Sequence, residues 1–356
     1  MKKVFRVLLA VSAILLCLNV AGCSKNAGKD SAQAGSTSKK IKLGVSAFPG
    51  WFVYYIAEGE KLFTKNGVEV ELVWFPVYSD SIQAFNSGNL DMLCIALPDA
   101  VAPYLKGTEF KAVAINDFSN GADGLAAKSQ YKTIQDLRGK KVATEYGTIE
   151  HFFLLKALET VGMKESDINL INISVGDCAP ALIANAVDAA CMWEPALSIA
   201  LSSPENTLLY SSAQTPGLIQ DLTIATDKLI RENPEIVTGV INAFLDAGDF
   251  YKINPDQCIE YMRIPAEVDA EQMKGVMSGG KIYGLKDMLS GLDGQQEGFL
   301  YAVDTAYENA LFLKEVDLLD DVPQDRNYFR TMFDWSFLEA IAKTRTPTSG
   351  PDTSLK

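Results

Sequence analysis

From Lys40 onward, short apolar runs alternate with longer segments of helical spacing. Residues 41–46 read as a strand, ended by the turn Phe48-Pro49-Gly50-Trp51. A helical pattern over 52–66 stops near Gly67, and 68–73 alternates as a strand. Tyr78-Ser79-Asp80 opens a helix running to about Asn86, with Ser79 as its candidate cap. Residues 92–95 form a buried strand, Pro98-Asp99 opens a short helix, and 110–115 is again a strand. The plan then repeats. Strands are expected at 141–144, 168–173 and 189–192, with helices at 149–161 and near 180–185. Residues 221–226 read as a return strand. Later segments are helical: 234–254, 255–263, 269–277, 298–314 and 326–343. This alternation predicts an α/β protein of two lobes, each a mostly parallel sheet flanked by helices.

Between the two rounds lies Ile115-Asn116-Asp117-Phe118-Ser119-Asn120-Gly121-Ala122-Asp123-Gly124-Leu125. Glycines with acids and an amide between apolar runs mark either an ordinary polar loop or a chain crossing between lobes. The repeated strand–helix plan favours a crossing whose polar groups face a cleft.

The front end reads as a targeting segment. Lys2, Lys3 and Arg6 precede an apolar run at 7–20, which is too short for a comfortable membrane span. Val20-Ala21-Gly22-Cys23 follows and resembles a bacterial lipobox, with Cys23 as the lipidated residue. The expected order is a signal peptide (1–22), a lipid-anchored tether (23–40), the first part of lobe 1 (41–122), lobe 2 (123–220), the second part of lobe 1 with C-terminal helices (221–343), and a flexible tail (344–356). That order places the protein outside the cytoplasm, attached to the cell membrane by lipid.

The formal charge is −13 and falls to −16 once the three basic residues of 1–22 are removed. With no basic patch carrying interleaved aromatics, nucleic acid is excluded as a partner. Cys94, Cys178, Cys191 and Cys258 match no metal-binding spacing and read as buried free thiols; no metal and no cofactor is expected.

A family resemblance rests on an ordered set of segments. They are Phe48-Pro49-Gly50-Trp51, Ala57-Glu58-Gly59-Glu60-Lys61-Leu62-Phe63, Gly67-Val68-Glu69-Val70-Glu71, Ser87-Gly88-Asn89-Leu90-Asp91, Asp136-Leu137-Arg138-Gly139-Lys140-Lys141-Val142 and Trp193-Glu194-Pro195. Over roughly residues 40–343 the chain resembles the substrate-binding lipoproteins of ABC importers in the nitrate, sulfonate and taurine group. The resemblance implies a periplasmic-binding-protein type II fold, two chain crossings near 121–125 and 218–226, a small-molecule ligand between the lobes, and ABC permease subunits as partners. Residues 117–123 with Glu145-Tyr146-Gly147-Thr148 and His151 resemble a narrower branch associated with urea and guanidine metabolism.

An anion pocket needs helix N-termini, hydroxyls or an arginine. Helix starts are available here, but their loops carry Asp80, Asp99, Glu145 and Glu150, the crossing adds Asp117 and Asp123, and neither lysine nor arginine lies among them. Carboxylates repel a bare anion and suit a cation of the guanidinium type, on which Trp51, Tyr54, Tyr78 and Trp193 can stack. The same acids can instead cap helices. Asn120, Thr148, His151 and Glu194 complete the candidate set. His151 and Trp193 also fit simple packing roles. The alternative ligands are an aliphatic sulfonate, taurine or nitrate. The alternative classes are a thiamine-pyrimidine-related binding protein or enzyme, whose cysteine-rich motif is missing here, and a surface sensor.

Overall fold

The computed structural model describes residues 39–293 and 302–345. The signal peptide, Cys23, nearly all of the tether, the expected helix start at Gly298 and the tail from 346 lie outside the described residues.

In chain order the first lobe opens with β1 (Ile41–Val45), α1 (Pro49–Gly59), α2 (Leu62–Lys65), β2 (Val70–Trp74), α3 (Tyr78–Asn86), β3 (Met92–Ala96), α4 (Leu97–Leu105) and β4 (Phe110–Ser119). The second lobe holds β5 (Asp123–Lys128), β6 (Lys141–Thr144), α5 (Ile149–Glu159), β7 (Asn169–Asn172), α6 (Val175–Ile183), β8 (Ala189–Trp193), α7 (Ala196–Leu201) and β9 (Asn206–Ser211). The chain then continues through β10 (Gln220–Thr226), α8 (Asp227–Glu232), α9 (Pro234–Ile253), α10 (Pro255–Ala266), α11 (Ala270–Ser278) and β11 (Gly280–Ile282). It ends with α12 (Leu285–Asp293), α13 (Ala302–Glu315) and α14 (Ser336–Thr344).

Two sheets carry these elements, in the orders β11-β4-β10-β3-β1-β2 and β7-β6-β8-β5-β9. Both are mixed rather than mostly parallel. The strands joined through helices (β1–β2, β1–β3, β6–β7, β6–β8) are parallel. The strands that carry the chain between lobes are antiparallel to their neighbours. β4 leaves the first lobe and β10 returns beside it; β5 enters the second and β9 leaves beside it. Two strands that share an edge while the chain goes out and comes back must run in opposite directions.

The crossings are therefore residues 120–122 and 212–219. The first is shorter than the polar segment implies. Asp117 and Ser119 belong to β4, and Asp123 and Gly124 belong to β5. Gly121 takes φ 109°, where a side chain would strain the backbone. The crossings are stapled together. The Ser212 hydroxyl meets the Ser119 hydroxyl at 2.6 Å and accepts from the Gly121 N–H at 2.8 Å, and Ser119 N–H donates to the Ile219 carbonyl at 2.9 Å.

Behind the first sheet, α1 packs against α9. Tyr54 and Phe244 are both buried, with ring centroids 5.2 Å apart. Aromatic side chains buried this way contribute roughly 1.5–3 kcal/mol each. This packing fixes the direction of α1, and with it the place of its N-terminus at the cleft.

Candidate functional site

The site forms where three segments meet. α1 starts after Phe48 and brings Trp51, and α3 starts with Tyr78, both on the first lobe; β8 ends with Trp193 on the second. Trp51 stacks on Tyr78 at 5.5 Å and 28°, and Trp193 meets Tyr78 edge-on at 5.3 Å and 85°. The Tyr78 hydroxyl accepts from the Ala96 N–H at 2.9 Å. The aromatics enclose a space of only about 10 Å³, with Asp123 and Asp221 on its wall. A wider cleft of about 170 Å³ lies beside it, sharing Tyr78 and Trp193 and lined also by Ser46 and Glu145. The lobes are closed on each other.

Five carboxyls gather on and around this wall: Asp99, Asp117, Asp123, Glu150 and Asp221. Their places follow from the strand ends and helix starts. Asp221 lies opposite Asp117 on one neighbouring strand and opposite Ala96 on the other. Asp123 lies opposite Trp193. Asp99 and Glu150 stand in the first turns of α4 and α5. Asp117, Asp123, Glu150 and Asp221 are essentially without solvent exposure. Both oxygens of Asp117 and Asp123, and one oxygen each of Asp99, Glu150 and Asp221, are buried without a hydrogen bond of good geometry.

Burial is the largest force raising every one of these pKa values. Asp123 is pushed up to about 6 and Asp99 to about 7. Asp117, Glu150 and Asp221 are pushed well above the carboxylate range, by burial first and then by the negative charge of their neighbours. The groups acting on the five are other acids, hydroxyls, the Cys191 thiol and backbone N–H groups; no cation is among them. Cys191 donates to Glu150 Oε2 at 3.0 Å. In water two charges 4 Å apart interact by only about 1 kcal/mol, but by about 4 kcal/mol at the effective dielectric of a protein surface. Five acids so placed therefore hold protons or require a cation.

The family model described as NMT1/THI5 like matches residues 49–258. The chain belongs to the NMT1/THI5-like family. It is 23% identical over 309 residues to the taurine-binding periplasmic protein of Escherichia coli, covering 84% of this chain and 93% of that protein. Its fold is shared with the crystal structure of the periplasmic aliphatic sulphonate binding protein SsuA from E. coli, at a TM-score of 0.67 and 20% identity, covering 79% of this chain and 89% of the other. The periplasmic nitrate-binding protein NrtA from Synechocystis PCC 6803 gives a TM-score of 0.70 at 14% identity, covering 89% and 92%. The architecture is the two-lobed periplasmic-binding-protein fold.

On this family framework the structure brings Trp51, Tyr78, Asp99, Asp117, Asp123, Glu145, Glu150 and Trp193 together, and adds Asp221 and Phe48. Six expected residues stand elsewhere. Tyr54 lies one turn behind Trp51, in the core, with its hydroxyl 2.7 Å from the Thr223 hydroxyl. Asp80 is exposed in the first turn of α3. Asn120 sits in the first crossing, where its N–H donates to the Gly279 carbonyl at 2.8 Å. Thr148 turns its hydroxyl back to the Glu145 carbonyl at 2.8 Å. Glu194 caps α7, accepting from the Ser198 N–H at 3.0 Å and the Ser198 hydroxyl at 2.7 Å. His151 is fully buried on α5, its Nε2 2.8 Å from Glu165 and its ring 4.4 Å from that of Tyr146. The four described cysteines are buried and free. Among the described residues no group of three or more His, Cys, Asp or Glu side chains is arranged to hold a metal ion.

Proposed function

We propose that this protein is the extracytoplasmic substrate-binding component of an ABC importer, and that its ligand is a small planar cation of the guanidinium type, closed between the two lobes. The supporting observation is the set of five buried carboxyls with no cation acting on them. A guanidinium carries N–H donors that match carboxylate oxygens in pairs, and its flat face suits the Trp51–Tyr78–Trp193 walls. Asp123 and Asp221, on the cavity wall, face it from opposite lobes. Because the closed space is so small, the lobes part to admit the ligand and shut again over it, by hinge motion at 120–122 and 212–219. Relatives named for taurine and aliphatic sulphonates support a second reading, an anionic ligand. Burying an anion beside Asp123 and Asp221 would add like charge to a place already short of cations.

Calorimetry with guanidinium chloride, taurine, ethanesulfonate and nitrate separates the two readings. Guanidinium is expected to bind, and the anions are not. Charge-assisted hydrogen bonds contribute about 1.5–3 kcal/mol each. Asp123→Asn and Asp221→Asn should therefore each weaken guanidinium binding by roughly one to two powers of ten. Tight binding of taurine or ethanesulfonate by the parent, with no heat from guanidinium, would establish the anionic reading instead.

A further inference from the structure

The N-terminus of α1 has no cap of its own. Its N-cap residue is Phe48, no acid stands in its first turn, and Pro49 supplies no N–H. A helix end of this kind carries about half a positive charge and is a natural seat for an anion. Here the seat is already taken. The Asp117 carboxyl, from β4, lies directly against Gly50, so close that a Cβ at Gly50 would collide with it. On its other side a Cβ at Gly280 would stand 3.1 Å from Asp117 Oδ2 and 2.7 Å from Pro49. Two residues without side chains thus leave room for one carboxyl at the end of one helix. Asp117 itself is fully buried.

We infer that the Asp117 carboxyl fills the N-terminus of α1 and, ionised opposite a bound cation, sets the sign of charge that the cleft admits. The inference rests on the cation reading above and refines it. Asp123 and Asp221 line the closed space, whereas Asp117 stands beside Asp221 on the neighbouring strand and outside that lining. Its work is to fill the anion-attracting end of α1 and to leave an incoming anion a wall of carboxyls to meet. Burial first, and then Asp123, hold it well above the carboxylate range; the Gly50 N–H and Asp221 act the other way, toward its charged form. It is a specificity-determining residue in the first instance and a ligand only through Asp221.

The test is calorimetry and thermal shift on the full chain, comparing the parent with Asp117→Asn and Asp117→Ser, using guanidinium chloride, sodium nitrate and sodium ethanesulfonate as probes. Both variants are expected to gain nitrate or ethanesulfonate binding at least tenfold over the parent. Loss of fold alone cannot produce a gain. Should a variant be unfolded without ligand, the same anions are expected to refold it. Variants that refuse the anions as the parent does, or that stay unfolded in their presence, overturn the inference. The parent's response to guanidinium decides the cation reading separately. A parent that ignores guanidinium while the variants acquire anions leaves Asp117 as the gate and removes the proposed ligand. A parent that already binds the anions removes both.

Discussion

At the scale of single residues, Gly50 decides whether the site can be built. Alanine normally favours a helix over glycine by up to about 1 kcal/mol. At Gly50 the added methyl would collide with the Asp117 carboxyl, which is itself pinned between α1 and Gly280. Overpacking of this kind costs about 1–3 kcal/mol and outweighs the helix gain. Gly50→Ala is therefore expected to lower the urea midpoint with an unchanged denaturant slope. An equal or higher midpoint would show that Asp117 can swing aside at no cost. Asp123 and Trp193 make the opposite kind of pair. They lie opposite each other in the β5–β8 ladder, so one residue of charge and one of stacking surface are delivered by a single strand register.

At the scale of elements, the closed cleft is held by acids reaching helix starts across it. Glu145, in the loop after β6, accepts the Ser79 N–H of α3 on the first lobe at 3.3 Å and the Val175 N–H of α6 on its own lobe at 3.3 Å. Asp99, on α4 of the first lobe, faces the Ile149 N–H that begins α5 on the second, and this N–H favours its charged form. Each lobe thus offers one carboxyl to a positive helix end on the other. Both Glu145 bonds are long, so the lower end of the charged-bond range applies, about 1.5 kcal/mol. Glu145→Ala is expected to weaken guanidinium binding about tenfold, mainly through faster release, and to enlarge the scattering radius of the ligand-free protein. An unchanged release rate would remove Glu145 from closure. This double role explains how much of the site was legible. Acids at helix starts and at the crossing read as caps or as ligands; in the fold Glu194 accepts from the first turn of α7, Glu145 bridges the lobes, and Asp123 lines the small cavity. Asp117 was legible as a cleft residue, but β4 runs on through it to Ser119, because pairing with β10 and β11 continues the ladder past the apolar run. Asp221 reads from the sequence only as the first residue of a return strand. The signal was there: a carboxyl at the mouth of an otherwise apolar buried run has no solvent to face. β9 and β11 are short or half-exposed strands, and their apolar pattern is too weak to read without the neighbours they pair with.

At the scale of the whole molecule, the buried acids make ligand binding and pH two sides of one equilibrium. A carboxyl whose pKa is higher in the folded chain than in the unfolded one binds its proton more tightly when folded. The stability this brings is complete below the ordinary aspartate value of 3.8 and is lost as pH rises through the folded value. For Asp123 that value is about 6 and for Asp99 about 7, and Asp117, Glu150 and Asp221 are displaced in the same direction. The exposed acids held low by basic partners or backbone N–H groups, Glu260, Asp321 and Asp136, shift the other way and titrate below this window. The ligand-free protein should therefore melt at a lower temperature as pH is raised from roughly 5 to 8, because the cluster loses its protons without gaining partners. A guanidinium ion requires those same protons to leave. Its stabilising effect should be small near pH 5 and grow as pH rises, following mass action on the ionised site. Melting curves at several pH values, with and without guanidinium chloride at a fixed millimolar concentration, measure both trends together. A ligand-free melting temperature that rises across this interval would mean that the acids are already ionised and paired. A guanidinium shift that does not grow with pH would mean that binding does not draw on them.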